Sequence, residues 1–344
     1  MSSNQPINKK RIGYIDALRG FTMILVVCIH VATFSHVNVN PYSDFFSLFR
    51  MPLFFFISGF ILYKKEQIWN FTNSIKFLSK KLLVQIIPTA IFLSLFLFIL
   101  SAEFKQRGLN GYWFTVALFE YFVVYTLFNF ICRKQIITNI ILAVIGVVFY
   151  YLAYDPMRFS DTPIFNDFIV HPFGYFIFFL FGTIVKKYFD KIIRYIFDNN
   201  TIMLIIISLM LVGAIFFIKD YCAIFATKLA LSILGILSFF YFFMKNGDYM
   251  DNSRIGKSLQ FIGRRTLDIY LLHYFFVNGS LSWIKNFSIN SPSIRFIASI
   301  LTSFVIIGIC LLISKFLRTN PLLGKILFGA KMPTKPQNSI FLNK

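Results

Sequence analysis

Residues 14–30 read YIDALRGFTMILVVCIH. The stretch decides the fold class, because charged side chains punctuate an apolar run that extends over residues 12–36. A membrane-spanning helix needs about 20 mainly apolar residues. A charge inside such a helix costs on the order of 2.5–3.5 kcal/mol on insertion scales, so it faces a bundle interior and not lipid. Arg19 and His30 are 11 residues apart, which at about 100° per residue puts them within about 20° on one helix face and about 16 Å apart along the axis. Asp16 falls on the same face. It either neutralises Arg19 as a structural pair or joins it in a polar cavity. A permanent cation at one depth and a titratable imidazole at another suit an elongated anionic substrate.

The rest of the chain agrees with that reading. Of 344 residues, 57% are hydrophobic and only 14% charged, and 47 are Phe; mean hydropathy is +0.71. Soluble domains carry about 25% charged residues. Composition therefore excludes a cytosolic enzyme, a disordered chain and a disulfide scaffold, and predicts an all-α polytopic membrane helix bundle forming one integral-membrane domain over 1–344. Ten apolar runs are candidate spans: 12–36, 44–63, 82–101, 111–131, 136–154, 168–185, 202–218, 221–244, 262–283 and 294–316. The first run lacks a small-residue cleavage site and reads as a span, not a cleavable signal peptide. With the N-terminus in the cytoplasm, alternate connections hold 25 Lys and Arg inside against six outside. The positive-inside rule then predicts an even number of spans with both termini cytosolic, in an inner membrane facing the cytoplasm. This placement accounts for the net charge of +20 without nucleic acid. Cys28, Cys132, Cys222 and Cys310 lie in or beside apolar runs without metal-ligand spacing, and read as small core residues. No metal site and no tightly bound cofactor are expected.

Other ionisable residues fall within spans. Arg50 lies at the depth of His30 and either binds an acceptor and stabilises developing negative charge or snorkels to headgroups. Ser58-Gly59 allows close helix approach, with Ser58 a candidate for the cavity wall. Glu120 and His273 are candidate cavity residues; the plainer readings are a Glu120–Lys228 structural pair and a core histidine. Asp268, five residues before His273, lies on a different face. The basic segment 64–81, KKEQIWNFTNSIKFLSKK, is read either as an interfacial helix on anionic lipid or as part of a cytosolic binding mouth.

Four motifs in this order resemble the membrane acyltransferase 3 family, which includes bacterial polysaccharide O-acetyltransferases. YIDALRGFTMILVVCIH (14–30) resembles its first-span Arg-x10-His hallmark, and RMPLFFFISGFIL (50–62) its second-span motif. GYWFTVALFEYF (111–122) resembles its Trp-Phe span, and TLDIYLLHYF (266–275) its late Tyr-Leu-Leu-His element. The resemblance implies transfer of an acyl group, commonly acetyl from cytosolic acetyl-CoA, to a hydroxyl of a cell-surface glycan or lipid-linked sugar. It implies His30 as the catalytic histidine and Arg19 as its partner in the donor path; Asp16, too far from His30 to orient it, is read as positioning Arg19. The donor phosphates would meet Lys80, Lys81 and Arg19, and the acceptor would meet Arg50 and Trp113. One departure stands out: SKKLLVQIIP (79–88) carries Gln85 where the family pattern leads one to expect Arg, and lysine does not replace the guanidinium fork. The rival reading, a glycan exporter or proton-coupled carrier, would use the same buried charges without acyl transfer.

Overall fold

The structure, a computed structural model, describes residues 12–35, 41–65, 67–99, 109–132, 135–154, 170–218, 225–277 and 291–330. Cys222 lies outside them. The described residues are helical, with no strand among them. Helix α1 (Gly13–Ser35) carries the site stretch, and α2 is Pro41–Leu62. Helix α3 (Phe71–Lys81) passes through a five-residue π segment, Leu82–Ile86, into α4 (Ile87–Ile99). Then come α5 (Trp113–Ile131), α6 (Gln135–Tyr154), α7 (Phe176–Lys187), α8 (Asn200–Ile218) and α9 (Phe225–Lys245). The chain continues as α10 (Arg254–Arg264), α11 (Thr266–Val277), α12 (Pro292–Leu317) and α13 (Pro321–Phe328).

Seven helices among the described residues are long and apolar enough to cross a membrane, or up to eight if the pair 189–197 and 200–215, bent by 83°, counts as one span. All ten apolar runs contain helix, but length supports fewer full spans. The run at 168–185 is broken by Pro172 and Gly174, which leave a short turn before α7. The run at 262–283 opens on the end of the amphipathic α10, so its apolar helix begins at Thr266 and has 12 described residues. The break expected at residue 82 is absent. Asn70 caps the helix by accepting from the Asn73 N–H at 2.8 Å, and a single run continues from Phe71 to Ile99. Pro88 has no N–H and crowds the carbonyl four residues back, and the π segment occupies that turn.

Side chains such as Phe98, Ile140, Leu204 and Leu312 are exposed on outer faces. In water they would drive aggregation; here they match lipid tails. Apolar burial drives no association between helices within lipid, so close packing does that work. Gly20 of α1 and Gly263 of α10 meet backbone to backbone. A Cβ on either would strike the Leu259 or the Asp16 carbonyl. Gly59 and Gly182 do the same for α2 and α7, against Phe179 and Phe56 carbonyls. Pro52 inside α2 cannot donate to Leu48, and that carbonyl accepts from Ser232 Oγ of α9 at 2.6 Å.

Asp268 is a buried carboxylate in the first turn of α11. Arg318 donates to both its oxygens, Nη2 to Oδ1 at 2.7 Å and Nε to Oδ2 at 2.9 Å, in the bidentate geometry that makes such pairs strong. Ser314 Oγ also donates to Asp268, and Arg265 lies at 3.5 Å. The same Arg318 covers the Phe328 ring at 5.0 Å, which ties α13 to the start of α11. The contacts at Gly263 are with backbone, which cannot swing aside. Gly263→Ala is therefore expected to cost about 1–3 kcal/mol, read as a lowered Tm of the detergent-solubilised protein. Gly308→Ala, where the added methyl meets nothing within 4 Å, is the control and should leave Tm unchanged.

Candidate active site

Helices α1 and α11 run parallel. Arg19 Nη2 donates to Thr266 Oγ1 at 2.9 Å near their N-terminal ends, and about two turns further along α11 His30 meets His273, Nδ1 to Nε2, at 3.0 Å. The His273 Nδ1 faces two backbone acceptors, Ile269 O at 3.0 Å and Tyr270 O at 2.9 Å. Carbonyl oxygens only accept, so in the neutral ring the proton sits on Nδ1 and Nε2 carries the lone pair. His30 must then donate from Nδ1. Its own Nε2 is left with a lone pair, on a ring that lines a cavity. The hydrogen-bond chain from helix carbonyls through His273 thus fixes which His30 nitrogen can take a proton.

That cavity holds about 440 Å³. One end is lined by Arg19, Ile61, Lys81 and Thr266, the other by Ser47, Gly111, Trp113 and His171, with His30 and Arg50 between. Its described wall contains Arg19, Arg50 and Lys81 and no Asp or Glu. Arg50 lies within electrostatic reach of His30 and His273. Its Nε and Nη1 are buried without a hydrogen-bond partner among the described residues. Buried donors are normally satisfied, and two orphaned donors on a guanidinium facing a cavity fit an oxygen-rich anionic or polarised guest. Lys81 lies over the Phe122 ring at 4.3 Å, its stem packed and its charge at the cavity mouth.

The opposite end is aromatic. Trp113 packs on Tyr175 with centroids 5.5 Å apart and edge-on to His171 at 5.2 Å. The start of α5 lacks a side-chain cap of its own. Tyr270 of α11 supplies one: its hydroxyl accepts from the Phe114 N–H at 3.1 Å and donates to Gly111 O at 2.7 Å. Tyr112 returns a bond to Leu271 O at 3.0 Å. Orphan amides at a helix start are satisfied in this way, and Trp113 is held over the cavity.

Of the residues singled out in the sequence, His30, Arg19, Arg50, Ser58, Lys81 and Trp113 line this one cavity, and so does Gln85. The Ser58 hydroxyl is spent on Phe54 O at 2.9 Å. Asp16 is buried and lines an adjoining cavity together with Arg19. Lys80 is exposed and off the described wall. His273 stands behind His30 and off the wall. Glu120 lies outside the wall as well; its Oε2 is buried without a partner, and no ion pair joins it to Lys228 among the described residues. Lys228 lines a separate pocket next to His171 and Tyr175. His171 and Tyr175 were not singled out; no charge marks them in the sequence, and their signal is aromatic density beside a Pro-Gly break in HPFGYFIFF (171–179). Tyr270 entered only as part of the Tyr-Leu-Leu-His element.

Fold and site together define a multi-pass membrane protein built around an internal, cation-lined cavity with a histidine in its wall. The sequence profile of the acyltransferase 3 family, described as an acyltransferase domain, matches residues 12–315, and the chain belongs to that family of membrane acyltransferases. No curated protein and no solved structure matches the chain. Tyr270→Phe removes the cap on Phe114 and the bond to Gly111 together. It is expected to lower stability by about 1–3 kcal/mol, read from the detergent Tm, and to shift the fluorescence of Trp113 in a protein whose other tryptophans, Trp69 and Trp283, are replaced by Phe.

Proposed function

We propose that this protein transfers an acyl group, acetyl in the first instance, from cytosolic acyl-CoA to a hydroxyl of a cell-surface or lipid-linked glycan on the far side of the membrane. The observation that carries the reading is the His30 ring: one nitrogen is tethered through His273 to backbone, and the ring lines a cavity with Arg19 and Lys81 in its wall as well as Trp113, Tyr175 and His171. The cationic end faces the cytoplasm in this reading, in an inner membrane with both termini inside. The anionic donor enters there, and Arg19 and Lys81 meet its phosphates. The sugar comes to Trp113, Tyr175 and His171 from the outer side, since aromatic faces suit the apolar faces of pyranose rings.

The chemistry balances without a cofactor. The acceptor oxygen attacks the thioester carbonyl as His30 Nε2 takes the hydroxyl proton. Arg50 faces the oxyanion that forms, and removal of one such donor typically costs about 2.7–4 kcal/mol in other enzymes. Collapse breaks the carbon–sulfur bond and the leaving thiolate takes the proton from His30, which leaves an ester and free CoA. His273 is a positioning residue: it keeps the His30 proton on Nδ1 and shares the charge while His30 is protonated. Asp16 acts through Arg19.

Purified protein given acetyl-CoA and its native glycan should release free thiol, scored with a thiol reagent. His30→Ala should lower that rate by about 10²–10⁴ with the fold retained, and retention of near-normal transfer overturns the reading. His273→Ala should lower kcat while the KM for donor stays within about twofold. It should also move the acid limb of the pH–rate profile, because His30 then loses the acceptor that stabilises its proton. A structural role alone would leave that limb in place.

A further inference from the structure

Two smaller cavities flank the cationic mouth. One, of about 330 Å³, includes Asp16, Arg19, Lys186 and Arg264 in its wall. The other, of about 210 Å³, lies under the segment that follows α2: Tyr63, Lys64, Lys65, Gln67 and Trp69, closed by Tyr125 and Asn129 of α5. Its described wall carries two ammonium groups and no carboxylate, whereas the first carries Asp16. Lys64 and Lys65 are exposed, and neither forms an ion pair among the described residues. Neighbouring residues line this pocket and the main cavity. Leu62 and Ile61 are chain neighbours in the two walls, and Phe122 and Tyr125 stand on successive positions of one α5 face. Lys81 lies within electrostatic reach of Arg19, Lys80 and Lys64. Four like charges around one opening repel one another, and an anion among them turns that repulsion into attraction.

Reach places the rest of the donor. From thioester sulfur to diphosphate, the pantetheine arm spans twelve chain bonds, the reach of four residues or about 13–14 Å extended. Arg19 lies about 16 Å along α1 from His30. A thioester at His30 therefore leaves the diphosphate at the depth of Arg19 and Lys81, and the nucleoside must lie beyond them, outside the main cavity. Trp69 stands there, held nearly perpendicular to Phe77 and Tyr125 at 5.4 and 6.2 Å, with the amides of Gln67 and Asn129 in the same wall.

We propose that the pocket under residues 62–69 is the subsite for the 3′-phosphoadenosine end of coenzyme A, with Lys64 and Lys65 on the 3′-phosphate and Trp69 and Tyr63 against the adenine. The proposal rests on the acyl-CoA reading and adds to it where the chain discriminates a complete CoA from a bare pantetheine thioester. It also gives the basic segment after α2 a ligand, in place of a purely lipid-anchoring role.

The test is calorimetric titration of the detergent-purified full chain with CoA, 3′-dephospho-CoA and pantetheine. The wild type should bind CoA about 10–100-fold more tightly than 3′-dephospho-CoA, the worth of a charge-assisted contact. The double variant K64Q/K65Q should bring that ratio to within threefold of unity and leave pantetheine binding unchanged. W69A should weaken both nucleotide-bearing probes and spare pantetheine. The double variant K186Q/R264Q, which changes the other flanking cavity, should keep the wild-type ratio. A ratio that survives in K64Q/K65Q, as it would if those lysines hold only anionic lipid, overturns the subsite. So does a ratio lost in K186Q/R264Q instead, or equal binding of the two nucleotides by the wild type. A wild type that binds none of the three probes overturns the donor reading itself, and the subsite with it.

Discussion

Helix α1 is locked in register against α10 and α11. Gly20 and Gly263 touch backbone to backbone, with no side chain to serve as a bearing. On the same pair of surfaces Arg19 reaches Thr266 and His30 reaches His273. A slip of one residue would turn α1 by about 100° and move it 1.5 Å, which would break both bonds at once. The polar cavity depends on this registration, because its two marker residues share one helix and their partners share another. The steric contact supplies position, and the hydrogen bonds supply orientation.

The second consequence is electrostatic. Arg50 sits in the wall with two donors that have no partner among the described residues, and the described wall holds no Asp or Glu. An isolated buried charge is expensive, and the unpartnered donors of Arg50 suit an oxygen-rich acceptor. Asp268 shows the contrasting treatment of charge in the same bundle. Its carboxylate is engaged by Arg318, Ser314 and Arg265, and it holds helices together outside the walls of the cavities described above. The two kinds of buried charge are thus separated by what surrounds them.

Membrane character and the helical class were legible from apolar runs alone, and the axial spacing of Arg19 and His30 followed from helix geometry on a single segment. Features that depend on two segments were not. The pairing of His30 with His273 spans 243 positions, and no local pattern on α11 separates a ring that lines a cavity from one that backs it. Glu120 falls outside the described cavity wall for the same reason: a charge in a span implies a polar surrounding but not which one. Ten apolar runs stand against seven or eight helices of spanning length among the described residues, because hydropathy sums over the Pro172–Gly174 break and over the turn between α10 and α11. His171 and Tyr175 join Trp113 only through the tertiary fold.

The π segment at Leu82–Ile86 changes how position along this chain is to be compared with that of its relatives. A π turn takes up one residue more than an α turn without breaking the rod, so the halves on either side keep independent rotational phases. Counting back from Pro88 then ceases to be a reliable coordinate. The side chain at a given offset from the proline need not point where its counterpart points in a helix without the extra residue. Lys81, just before that segment, and Gln85, within it, both reach the cavity wall. A cation absent at position 85 is thus not absent from the mouth; the helix presents one from a turn earlier, and alignments that carry no gap there would score the substitution as a loss.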